Sequence, residues 1–438
     1  MLSARTAVAA VLAAAAFARA ATTENLNLGS KLPAELFDPL VAKKVLAMAQ
    51  SSFSPPAYPS ITSTSGVWQW GSPDNWITGF FPSTLYQLAK RECLCPGSTA
   101  VDGAVPDWLE LGRTWSGAIP SLHWHNGQGH DVGFISWPFA EELGLFPKNQ
   151  TARDNIIEFA LELSSRYAKE VGCTRSWDWS SSTSPTPATD FLVIIDNLMN
   201  LETLLQAYDF TKNKTFYDVA IDHADTTLKN HFRDDWGSWH VVNYDHLTGE
   251  VKEKYTQQGY SDDSTWTRGE AWGLHGYSKL YQYTKKPRYL DAARNIAKYY
   301  LRRTPKAYLP WDFDAPKEPM PPADASAAMI AAAGFQLLAQ IEKSQWNLIG
   351  AAQWDNAAHM LISQTASYAW NPSWQSVLSN STRDNHGIPH SNNTGLPYAD
   401  YYWVKNGNYL LASGQLRCPN GKRASASRCG IDLTGPTF

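Results

Sequence analysis

The stretch Thr151-Ala-Arg-Asp-Asn-Ile156-Ile-Glu-Phe159-Ala160-Leu-Glu-Leu163-Ser-Ser-Arg-Tyr-Ala-Lys169 decides the class of fold. Ile156, Phe159, Ala160 and Leu163 recur three and four residues apart and form one apolar stripe of a helix. The same spacing returns over 38–50, 79–91, 107–118, 136–145, 188–208, 214–230, 265–284, 287–303, 323–342, 350–366 and 397–413. Clusters of Gly, Pro, Ser and Asn separate these runs and mark loops. Strand signals are few: Ser238–Asn243 and Glu250–Tyr255 read as a hairpin turning at Leu247-Thr248-Gly249. Ser51–Ser65 and Trp177–Thr189 read as loops, the second placed to cover a site. No short-period repeat and no linker divide the chain. An all-α protein of about twelve helices is either a solenoid or a closed ring of helix pairs. A ring leaves one end of its helices free to hold a pocket built of loops.

Composition narrows the ligand. A formal net charge of -4 with 18% charged residues argues against nucleic acid as a partner. The chain carries 19 Trp, 20 Tyr and 16 Phe. Most such rings pack a core, but ring-lined hollows also suit flat ligands with apolar faces and polar edges, and sugars are of that kind.

Residues 1–20 have the pattern of a signal peptide: Arg5, an apolar run to Phe17, and Ala18-Arg19-Ala20 as a cleavage site. The expected product is a secreted, extracellular chain of residues 21–438. It reads as a single catalytic domain with a polar, Cys-containing tail. No later run reads as long and apolar enough to cross a membrane. Sequons at Asn149, Asn213, Asn380 and Asn392 fit that route. Of the five cysteines, Cys418 and Cys429 flank a polar loop and form one candidate pair, and Cys93 or Cys95 with Cys173 forms another; the sequence does not fix the connectivity. The odd count leaves one over.

Three segments carry candidate chemistry. Asp196 lies in Phe191-Leu-Val-Ile-Ile-Asp196-Asn-Leu-Met-Asn200-Leu201, which is read as part of one helix. A carboxyl group in an apolar stripe is costly to ionise, and burial suits it to act as a general acid. The same residue could equally cap a loop or pair with an arginine. Asp131 sits in Gly129-His130-Asp131-Val132-Gly133-Phe134, where glycines permit tight turns and close approach. Two acids from separate segments meet the general demand of glycoside chemistry, or else stabilise turns. The third segment runs from Gln257 to Gly273 and places Arg268 and Trp272 four apart on one helix. Arginine can bind a carboxylate through two nitrogens while Trp offers a stacking wall; a structural Arg–Glu pair is the alternative. His123, His125, His130 and Asp131 cluster in sequence, but their spacing matches no helical ligand pair, so no metal is expected. There is no nucleophile elbow, phosphate loop or dinucleotide fingerprint.

Taken in order, Asn75-Trp76-Ile77-Thr78-Gly79-Phe80, His130-Asp131-Val132-Gly133-Phe134, Asp196-Asn197-Leu198-Met199-Asn200, Gln258–Gly276, Asp324-Ala325-Ser326-Ala327-Ala328 and Ala399-Asp400-Tyr401-Tyr402 resemble glycoside hydrolase family 88, the unsaturated glucuronyl hydrolases. The resemblance runs from about residue 35 to 413. It implies an (α/α)6 barrel and enzymatic release of a 4,5-unsaturated uronic acid from lyase-generated oligosaccharides, with no cofactor. It implies Asp196 as general acid and base and Asp131 as the second essential acid. Trp76, His130, His240, Gln258, Arg268 and Trp272 match the family's sugar-binding positions. An unsaturated rhamnogalacturonyl hydrolase, or an inactive sugar-binding protein on the same ring, are the competing expectations.

Overall fold

The computed structural model describes residues 32–51, 57–179 and 185–425. Among these residues the apolar stripes become twelve α-helices: α1 (Pro39–Ala49), α2 (Phe80–Leu94), α3 (Trp108–Ser116), α4 (Val132–Leu145), α5 (Gln150–Ser165), α6 (Asn197–Thr211), α7 (Lys214–Asn230), α8 (Thr267–Thr284), α9 (Pro287–Arg303), α10 (Ala325–Ser344), α11 (Leu348–Ala369) and α12 (Pro397–Ala412). Their burial falls into two classes. The even-numbered helices bury nearly their whole circumference, as in the Ala-rich α10, and so form an inner ring. The odd-numbered ones bury one face, as α9 does through Tyr289, Leu290, Ala293, Ile296 and Tyr300, and pack outside. Consecutive inner helices touch, and α12 returns to α2, so the ring of six pairs closes. This is the (α/α)6 barrel expected from the motifs. Helix α10 is long and apolar enough to cross a membrane, which the sequence reading did not anticipate, but 94% of that apolar window is buried inside the barrel.

One expected helix is not continuous. Residues 188–208 divide into a strand, Asp190–Ile194, and helix α6, with Asp196 between them. The strand pairs antiparallel with Val241–Asp245, which pairs with Val251–Tyr255, so the expected hairpin gains a third strand. The cause is visible in the side chains. Phe191 and Val193 pack with Val171, Cys173, Val242 and Tyr244, while Leu192 and Ile194 pack with Val241 and Tyr255. A strand covered on both faces reads as a continuous apolar run, which periodicity cannot tell from a buried helix. Two shorter hairpins, Tyr58–Thr62 with Trp68–Gly71 and Tyr167–Ala168 with Cys173–Thr174, were also not expected.

The cysteine pairing differs from both candidates. Cys95 bonds to Cys418, Cys93 is also in a disulfide, and Cys173 is free and buried among Val171, Phe191 and Tyr244. Sequence spacing carries no information about ring closure, and closure is what brings the ends of α2 and α12 together. The leader 1–20 and Cys429 lie outside the described residues.

Candidate active site

The N-terminal ends of the six inner helices gather at one end of the barrel. Around them opens a cleft of about 520 Å3, within the size range of small-ligand sites. Trp76 precedes α2, Asp131 precedes α4, Asp196 precedes α6, and Arg268 and Trp272 lie in the first turns of α8; all line the cleft. Tyr398, in the first turn of α12, packs its ring 5.0 Å from that of Trp76.

The two acids are brought together by interlocked motifs. Gly133 faces Asn200 so closely that an added Cβ would lie 2.3 Å from the Asn200 Oδ1. That oxygen accepts a hydrogen bond from the Phe134 N–H at 2.8 Å. The starts of α4 and α6 are therefore locked side by side. Gly129 takes φ +62°, and a Cβ there would strike the Ser176 carbonyl at 2.1 Å. This lets the His130 N–H reach the same carbonyl at 3.2 Å.

His130 is 1% exposed and lies between the two acids. Its Nε2 is 3.0 Å from Asp131 Oδ1 and 3.2 Å from Asp196 Oδ1. Neither approach is aligned as a hydrogen bond, and His130 Nε2, His130 Nδ1 and Asp196 Oδ1 are buried without another partner. Burial alone pulls the imidazole down, but the Asp131 and Asp196 carboxylates outweigh it and hold His130 up at about 9. Burial also raises Asp131, with His130 opposing. The cluster therefore keeps a proton through neutral pH. Asp196 is not in a helical stripe as expected. It occupies the N-cap position of α6, makes no capping bond with its side chain, and is 16% exposed in the cleft.

His240 is buried behind the cleft wall, its ring 4.4 Å from that of Trp266. The Gln257 N–H donates to its Nδ1 at 3.1 Å, and burial lowers it to about 3, so it is neutral. Gln258 and Arg268 line the cleft, yet both spend donors on the protein. Gln258 Nε2 and Arg268 Nη2 donate to the Arg383 carbonyl at 2.9 and 2.6 Å. Arg268 Nη1 donates to Asp324 at 3.0 Å and to the Thr382 carbonyl. Trp76 and Trp272 flank Phe134, with ring centroids 5.7 and 5.2 Å away.

Sequence reasoning missed the rim. Trp177 and Trp179 stack at 4.6 Å and line the cleft, as do Arg383 and Asp384. The Trp-Asp-Trp spacing within the predicted covering loop was the available signal; the 383–384 segment offered none. His123 and His125 are not part of the cluster: His123 packs edge-on against Phe159 at 4.3 Å, and His125 is exposed.

No family model matches the chain. It is similar to the unsaturated glucuronyl hydrolase of Formosa agariphila, 38% identical over 260 residues. The match covers 58% of this chain and 61% of that one, so it spans less than two thirds of that relative. It is also similar to the unsaturated glucuronyl hydrolase of a Bacillus species, 27% identical over 292 residues that cover 66% of this chain and 73% of that one. The crystal structure of an unsaturated glucuronyl hydrolase specific for heparin matches with a TM-score of 0.76 at 28% identity, covering 87% of this chain and 98% of that chain. The ring of six helix pairs, the interlocked acidic motifs at its mouth and these similarities agree: in sequence and in fold the chain is similar to the unsaturated glucuronyl hydrolases.

Proposed function

We propose that the protein hydrolyses unsaturated uronic-acid oligosaccharides by hydrating the C4=C5 double bond of the terminal sugar. The observation that carries this reading is the convergence of Asp131 and Asp196 on His130 at the floor of a Trp-lined cleft. Asp196 transfers a proton to C4, and positive charge develops at C5 and the ring oxygen. Water adds to C5, and its proton returns to Asp196. The resulting hemiketal breaks its C5–O bond to give a ketone, and the hemiacetal left at C1 expels the next sugar as an alcohol. Asp131 and His130 orient Asp196 and compensate its charge as the proton leaves and returns. The face of the sugar lies against Trp76 and Trp272. Its carboxylate meets the positive ends of the inner helices, with Arg268, Gln258 and His240 shaping that wall.

Export is part of the proposal. It is supported by the leader pattern of residues 1–20 and by the Cys95–Cys418 bond, which forms and persists in oxidising compartments.

The test offers unsaturated disaccharides from glucuronan, chondroitin, heparin, ulvan and rhamnogalacturonan and follows the absorbance of the double bond. Absorbance should fall with at least one glucuronyl substrate. Asp196→Asn should abolish that fall while leaving the circular dichroism spectrum unchanged. Steady absorbance with every substrate, or full activity in the folded variant, overturns the reading.

A further inference from the structure

We infer that His130, Asp131 and Asp196 form a binding site for a first-row divalent cation, best fitted by Zn2+, and that the cation acts there as a blocker of the site. The first argument is distance. Zinc binds imidazole nitrogen and carboxylate oxygen at about 2.0–2.2 Å, which places neighbouring ligand atoms of a tetrahedral site about 3.3–3.6 Å apart. The nitrogen–oxygen separations of 3.0 and 3.2 Å need to open by only a few tenths of an ångström to meet that spacing. Among the described residues this is the one group of His, Cys, Asp and Glu whose ligand atoms lie within 4.8 Å of one another.

The second argument is the burial and bonding of the histidine. His130 is 1% exposed, and its Nε2 faces both carboxylates without an aligned hydrogen bond. Asp196 Oδ1 is likewise buried, with no aligned hydrogen bond and His130 as its ion-pair partner. Buried polar atoms are normally satisfied, and here only the proton shared with the carboxylates serves these atoms; a bound cation would take that proton's place and release it. The donor set selects that cation. One imidazole nitrogen and two carboxylate oxygens suit zinc, whereas calcium takes six to eight oxygens and magnesium an octahedron of oxygens. Two carboxylates also balance the charge of a divalent ion. Both acids line the cleft, so a remaining coordination position opens toward it.

Binding stands on this geometry alone. The blocking effect also rests on the proposed hydrolysis, because an ion held by Asp196 occupies the group that moves the proton.

Equilibrium dialysis of the EDTA-treated full chain against ZnCl2 tests the site without any sugar. One saturable Zn2+ per chain is expected. His130→Ala and Asp131→Asn should each weaken binding about 100-fold or more, since loss of mere supporting partners already costs 10–100-fold. His125→Ala, at an exposed histidine outside the cluster, should change nothing. Circular dichroism identifies folded variants, and either folded ligand variant suffices. Absence of saturable binding, or undiminished binding in a folded ligand variant, overturns the inference. With an active substrate in hand, Zn2+ should raise the apparent KM, and EDTA should reverse the effect. Stoichiometric binding without inhibition removes the blocking role and retains the site.

Discussion

Arg268 and Asp324 form an ion pair at 3.0 Å in which both side chains are almost wholly buried. The pair joins the first turn of α8 to the N-cap of α10, where Asp324 Oδ1 also accepts from the Ser326 N–H at 3.0 Å. Through the Thr382 and Arg383 carbonyls, the same guanidinium holds one rim of the cleft. Asp324→Asn leaves a buried guanidinium without its counter-charge and should cost about 3–5 kcal/mol of stability. Chemical denaturation measures the cost. Arg268→Lys should not rescue the architecture, because an ammonium cannot reproduce the planar fork that reaches three acceptors.

Trp179 is 53% exposed and contributes little to the core. It stacks on Trp177 at the cleft edge, and under the proposed function that position would meet the second sugar rather than the reacting one. Trp179→Ala should raise KM about tenfold through a loss of about 1–1.5 kcal/mol of stacking, with kcat and thermal midpoint nearly unchanged. A fall in kcat with constant KM would contradict this placement.

Gly133→Ala forces a methyl group into Asn200, where the backbone Cα is 2.7 Å away and cannot rotate aside. The strain should cost about 1–3 kcal/mol. The start of α4 carries Asp131, and a shift of about 1 Å there should lower kcat about 100-fold. Steady-state kinetics beside a melting curve separates the two effects.

Glu270 predicts a pH dependence of stability away from the cleft. It is fully buried; Oε2 accepts from the Ser238 N–H at 2.9 Å, while Oε1 has no partner. Burial raises it to about 8, with Ser238 and Arg233 opposing and Asp235 assisting. The folded state therefore favours the protonated form. Its contribution is complete below about 4.5, the unfolded value, and is lost as pH rises through about 8. Glu270→Gln should flatten that loss, whose slope approaches about 1.4 kcal/mol per pH unit. Unfolding curves at pH 5 and pH 8 should differ less in the variant than in the parent.

Much of this was legible from residues alone. Helical periodicity located the twelve helices because the outer ones are half-wet and the inner ones are long. It failed at Phe191–Ile195, where burial on both faces of a strand erases the alternation that identifies strands. The acids Asp131 and Asp196 could be named from their motifs. Their meeting could not, because it depends on Gly133 seating against Asn200. The partner of Arg268 lies 56 residues away, at the start of the neighbouring inner helix, beyond any local rule. Disulfide connectivity failed for the same reason, since only the closed ring shows which chain ends are neighbours.

That closure has a topological consequence. Five of the six junctions between neighbouring inner helices are spanned by backbone; the sixth, between α12 and α2, is bridged by Cys95 and Cys418 just beyond the two helices. The polypeptide between these cysteines is thereby a covalent hoop. Hydrolysis of one peptide bond on a hoop opens it into a line and releases no fragment, so a single nick in any surface loop from residue 96 to 417 leaves one molecule. For a chain proposed to work among extracellular proteases, the seam is protection against the first cut.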